Sequence, residues 1–70
     1  MKLTINGKSK EIDPPKEDPT LAYLVELLGH TPLLIVVEFN GRILPPKTWT
    51  TQIIKDGDSL EIVTIVGGGS

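Results

Sequence analysis

The dipeptide Asn-Gly occurs twice, at Asn6-Gly7 and Asn40-Gly41, each time between runs of apolar and β-branched residues. The favoured two-residue hairpin turn needs positive φ at both central positions, and Asn followed by Gly meets that need at the least steric cost. Two antiparallel hairpins are therefore expected. Lys2-Leu3-Thr4-Ile5 alternates polar and apolar, the period of a half-buried strand, and Lys8 to Ile12 reads as its returning partner. Asp13-Pro14-Pro15 ends that strand, because proline has no N–H to donate to a ladder. In the second hairpin, Leu33 to Phe39 is a dense apolar run and reads as the best-buried strand. Arg42-Ile43-Leu44 returns from it and stops at Pro45-Pro46.

One helix separates the hairpins. Asp18-Pro19-Thr20 supplies two capping candidates, either Thr20 itself or Asp18 with Pro19 in the first position. Leu21, Leu24, Val25 and Leu28 follow at i, i+3, i+4 and i+7, which makes one apolar stripe. Gly29 is a natural stop, and Pro32 prevents continuation. A helix of about 10 residues is marginal alone, so it must dock on the sheet. Trp49 to Ile54 reads as an irregular stretch or a helical turn, and Lys55-Asp56-Gly57-Asp58 as a tight turn. Ser59 to Val66 is the expected final strand. The predicted class is α+β, with a mixed four- to five-stranded sheet and one main helix across one face.

With 70 residues the chain holds a single core. Basic and acidic residues number 7 and 9 and are interspersed, so no basic stripe is available for phosphate backbones and no nucleic-acid partner is expected. No long apolar run or signal peptide is visible, which predicts no membrane partner and a cytoplasmic location. Without cysteine there is no disulfide, no thiolate nucleophile and no thiolate metal ligand. His30, the single histidine, follows the helix stop and reads as a loop residue. Asp56 and Asp58 flank a glycine and read as turn formers rather than an acid–base pair. Trp49 reads as a lid on the core edge, ahead of a partner anchor.

The order strand, strand, helix, strand, short strand, long strand, glycine tail resembles the β-grasp fold of ubiquitin-like proteins. Within that group the chain is similar to the ThiS-type sulfur carriers of thiamin biosynthesis. The likeness is carried by Leu3-Thr4-Ile5-Asn6-Gly7, by Thr20-Leu21-Ala22-Tyr23-Leu24-Val25 with Leu27-Leu28-Gly29, and by Val36-Val37-Glu38-Phe39-Asn40-Gly41. It continues through Asp56-Gly57-Asp58 and Leu60-Glu61-Ile62-Val63 to Val66-Gly67-Gly68-Gly69. The resemblance implies a β-grasp domain over residues 1–66 and a glycine tail over 67–70.

The resemblance also implies a chemistry. A ThiF-like adenylating enzyme joins the terminal glycine carboxylate to AMP, using ATP. Sulfur then replaces AMP, and the resulting thiocarboxylate serves a ThiG-like thiazole synthase. The chain itself then needs no bound cofactor and is not an enzyme. Its working residues are Gly67, Gly68 and Gly69. Glycine lacks a Cβ, so such a tail is thin and conformationally free. Four residues span at most about 14 Å at ~3.5 Å each. Family members end on the glycine run, whereas Ser70 follows it here. The family's chemistry needs a free glycine carboxylate, so either Ser70 is removed and the reacting form ends at Gly69, or Ser70 is an addition, or the chain is not a carrier of this kind.

Ordering such a tail costs about 1–2 kcal/mol per residue, so a docking surface must offset the loss. Strand alternation puts Leu60 and Ile62 on the core side of the last strand and Glu61, Val63 and Ile65 outside. On the third strand Ile35, Val37 and Phe39 face the core, with Val36 and Glu38 outside. Val36, Val63, Ile65 and Val66 form the expected partner-docking patch. Competing readings are a molybdopterin-synthase small subunit, another sulfur carrier, a ubiquitin-like modifier, and a plain β-grasp binding module.

Overall fold

A computed structural model describes residues 1–13 and 19–65. Asp18, Val66, the three tail glycines and Ser70 lie outside the described residues, as does the boundary expected at residue 66. Five strands form one mixed sheet: β1 (Lys2–Ile5), β2 (Lys8–Glu11), β3 (Ile35–Phe39), β4 (Arg42–Leu44) and β5 (Ser59–Thr64). Their spatial order is β2-β1-β5-β3-β4. The central pair β1 and β5 is parallel, and the other pairs are antiparallel.

Both Asn-Gly turns form as expected. Asn6 and Asn40 sit at φ of 53° and 49°, and Gly7 and Gly41 at 81° and 88°. Positive φ at both central residues matches the right-handed twist of the flanking strands. The asparagine side chains also reach out of their hairpins to β5, which lies between the two. From one side Asn6 Oδ1 accepts from the Ile62 N–H at 2.7 Å, just past the end of β1. On the other side Asn40 Oδ1 accepts from the Ser59 N–H at 2.8 Å, while its Nδ2 donates to Asp58 Oδ1 at 3.0 Å. The last strand is thus clamped from both flanks.

Asn40→Ala should lower stability by about 2 kcal/mol, since a left-handed residue with a Cβ costs roughly 1–2 kcal/mol and the hydrogen bonds add to that. Asn40→Gly keeps the turn and loses only the side-chain bonds, so it should cost less. Urea midpoints, with an unchanged m-value, measure both.

The helix α1 (Leu21–Leu27) is shorter than its expected 10 residues. Its start is capped by Thr20, whose Oγ1 accepts from the Tyr23 N–H at 3.1 Å. The two preceding free amides find partners elsewhere in the chain: Leu21 N–H donates to the Gln52 carbonyl at 2.8 Å, and Ala22 N–H to the Trp49 carbonyl at 3.0 Å. The first turn therefore leaves no amide orphaned. The helix ends early because the chain closes into a Schellman motif. Gly29 N–H donates to the Glu26 carbonyl and His30 N–H to the Val25 carbonyl, with Gly29 at φ +82°.

The helix buries Leu21, Leu24 and Val25 against Leu3, Ile35, Val37, Phe39, Leu60 and Ile62 of the sheet. Trp49 belongs to this core at 2% exposure, with Nε1 donating to the Leu44 carbonyl at 2.9 Å. It is neither a lid on the core edge nor free to anchor a partner. Its stretch follows a short 3-10 turn, Pro46–Thr48, and contributes the carbonyls that cap α1.

The expected strand from Leu33 begins only at Ile35. Pro32–Leu34 instead forms a 3-10 turn, with Leu34 N–H donating to the Thr31 carbonyl, and it leaves Leu33 86% exposed. Proline at the first position fixes the φ this turn needs. Asp56 and Asp58 do form the expected turn, but they also act at a distance. Asp56 Oδ1 accepts from the Lys2 N–H at 2.6 Å, tying the entrance of β5 to the start of β1.

Candidate docking face and tail root

The helix covers one face of the sheet, so strand alternation decides what the opposite face shows. In β3 the residues alternate buried and half-buried, and in β5 Leu60 and Ile62 are buried while Glu61 and Val63 are exposed. The two-residue turn at Asn40-Gly41 sets the register Phe39↔Arg42, Glu38↔Ile43 and Val37↔Leu44. Ile43 therefore shares the outer face with Glu38. Against β5, Val36 lies opposite Val63 and Glu38 opposite Glu61.

These five residues, Val36, Glu38, Ile43, Glu61 and Val63, line a shallow depression of about 300 Å³. Val63 is 60% and Ile43 68% exposed, while Val36 is half-buried. Two residues along, Ile65 is 49% exposed, and its N–H donates to the Leu34 carbonyl at 2.6 Å. That bond fixes the chain where it leaves the sheet. It also brings the exposed Leu33–Leu34 turn beside Ile65, so the chain exit carries an apolar collar.

The structure thus brings together Val36, Val63 and the neighbouring Ile65 from the expected patch. Val66 and Gly67, Gly68 and Gly69 lie outside the described residues. Ile43, Leu33 and Leu34 were missed. Ile43 was readable in principle, because a two-residue hairpin fixes which residue faces Glu38. Leu33 and Leu34 were hidden by the continuity of the apolar run. Among the described residues, no group of three or more His, Cys, Asp or Glu is placed to hold a metal ion, and no helix is long and apolar enough to cross a membrane. This face offers an exposed apolar surface beside Ile65, the last described residue.

Comparison with known proteins places this arrangement. The model of the ThiS family matches residues 3–69, nearly the whole chain and through the last tail glycine. The chain belongs to the ThiS family. The crystal structure of the ThiS thiamine biosynthesis protein from Geobacter metallireducens superposes with a TM-score of 0.81 at 33% identity, covering 99% of this chain and 100% of that one. The chain is also 34% identical over 67 residues to the uncharacterized protein ycf40 of Porphyra purpurea, covering 96% of this chain and 90% of that protein. A thiazole synthase of Paramagnetospirillum magneticum is 37% identical over 70 residues, all of this chain but only 21% of that protein. This chain therefore spans about a fifth of the length of that relative. The five-stranded mixed sheet with one helix is the ThiS β-grasp architecture.

Proposed function

We propose that this chain is the sulfur carrier of thiazole formation in thiamin biosynthesis, acting through the carboxylate of Gly69. The ThiS family match, which runs through the glycine tail to residue 69, is the observation that carries the reading. A chain with no cysteine has no side-chain thiol on which to hold sulfur, so the terminal carboxylate is the natural carrier group. A carboxylate is a poor acyl donor. Attack of Gly69 carboxylate oxygen on the α-phosphorus of ATP expels pyrophosphate and forms an acyl adenylate. Hydrosulfide from the donor system then adds to the acyl carbonyl and expels AMP, leaving –COS⁻ after loss of one proton, and that group can hand its sulfur to an acceptor.

ATP and the activation chemistry belong to a ThiF-like adenylating enzyme, and the acceptor step to a ThiG-like thiazole synthase. The likeness to part of a thiazole synthase supports the second partnership. This chain contributes no catalytic group and binds no cofactor of its own. Its use of ATP through a partner fits a cytoplasmic protein. Gly67, Gly68 and Gly69 form the thin tether, the reacting form ends at Gly69, and the β-grasp domain up to residue 66 docks outside the active site. Val36, Val63, Ile65 and Val66 form the docking patch, joined by Leu33 and Leu34 at the tail root.

The test is ATP–pyrophosphate exchange by the adenylating enzyme, with a chain ending at Gly69 as substrate. Exchange should depend on the carrier. Val63→Asp should raise the carrier concentration needed for half-maximal exchange by about tenfold or more, because a charge replaces an apolar contact at the centre of the interface. Its far-UV spectrum should not change, since the side chain already faces solvent. Unaltered exchange with Val63→Asp removes this face from docking.

A further inference from the structure

Most registered cross-strand pairs on the outer face are chemically matched, and the two that are not both involve Glu38, which faces Ile43 on one side. Lys2 faces Glu11, Thr4 faces both Ser9 and Ser59, and Val36 faces Val63. Glu38 faces Glu61. Like charges directly opposite on a sheet are destabilising. Among the described residues neither carboxylate is in an ion pair. Among the described strand residues the lysine on this face is Lys2, which lies one strand from Glu61 and two from Glu38 and is opposite Glu11. Arg42, although on β4, is opposite Phe39 and so belongs to the helix-side parity. The two carboxylates therefore line an apolar depression, and among the described residues no cation is paired with either of them.

We propose that this depression selects its partner by charge: it receives an apolar side chain of the adenylating enzyme flanked by a guanidinium or ammonium group that sits between Glu38 and Glu61. This rests on the carrier reading above. A tether of three residues reaches at most about 10 Å at ~3.5 Å each, so the enzyme that grips the tail must also cover the sheet close to its root. The depression meets that demand through Val63, which is about 7 Å along β5 from Ile65 at ~3.4 Å per residue. A cation placed there relieves the repulsion between the carboxylates and gains attraction to both. Opposed charges also speed encounter, and salt weakens that effect. The Glu–Glu pair thus lowers the stability of the free carrier and favours the complex.

The experiment compares wild type with Glu38→Gln/Glu61→Gln, both ending at Gly69. Affinity for the adenylating enzyme is measured at low and high salt, alongside urea unfolding of the free chains. The double variant should bind about tenfold more weakly at low salt and lose most of the salt dependence that wild type shows. Its urea midpoint should rise, which also establishes that it is folded. Wild-type affinity and salt dependence in the double variant overturn the proposal. If wild type still gains sulfur in that case, the carrier reading stands while the charge selection falls. If wild type neither binds nor gains sulfur, both fall. A loss of binding confined to the thiazole synthase overturns the choice of occupant.

Discussion

Trp49→Ala is expected to leave the chain mostly unfolded at physiological temperature. The indole is the largest fully buried side chain, and replacing a buried tryptophan by alanine costs about 3–5 kcal/mol. A 70-residue domain holds roughly 4–10 kcal/mol in total. The loss is compounded by the Leu44 carbonyl, which gives up the Nε1–H donor. The same residue positions the loop whose carbonyls cap α1, so the start of the helix should fray with it. Thermal unfolding followed by circular dichroism should show a midpoint lowered by on the order of 20 °C. Trp49→Phe, which keeps most of the volume but not the donor, should fall between the two. A midpoint within a few degrees of wild type for Trp49→Ala would mean that the indole does not organise this core.

That central role was only partly legible in the sequence. Periodicity showed Leu21, Leu24 and Val25 as a buried stripe because the signal lies within one helix. Trp49 sits in an irregular stretch where no period exists, and its burial depends on Leu44 and on the first turn of α1 coming to meet it. The hairpins were legible because Asn-Gly chemistry is local. The bonds from Asn6 to Ile62 and from Asn40 to Ser59 were not. They depend on β5 inserting between β1 and β3, a choice made by long-range packing. The inward and outward parity of β3 and β5 was readable from alternation alone, which is why Val36, Val63 and Ile65 lie on the face expected of them. The opposition of Glu38 and Glu61 was not readable, because register between strands that are not consecutive in the chain leaves no mark in either strand by itself.

Deletion of Gly68 and Gly69 is expected to abolish sulfur loading entirely while leaving the fold untouched. Two residues are worth about 7 Å of reach, so the shortened chain presents its carboxylate well short of a buried adenylation site. The deleted residues have no side chains to contribute to the core, and stability should change by less than about 0.5 kcal/mol. Unfolding curves that overlay wild type, together with lost loading, separate this effect from the structural loss caused by Trp49→Ala. Retained loading in the shortened chain would show that the tail is not the working part.

The measurement that meets the carrier account most directly is intact mass. The chain ending at Gly69 is incubated with a ThiF-like adenylating enzyme, ATP and a sulfur donor. Its mass should rise by the difference between one sulfur and one oxygen atom, with the change located at the C-terminal residue by fragmentation. Omission of ATP should prevent the change. A chain whose mass stays constant with an enzyme that loads another ThiS family member, or whose added sulfur maps to a side chain, would contradict the account.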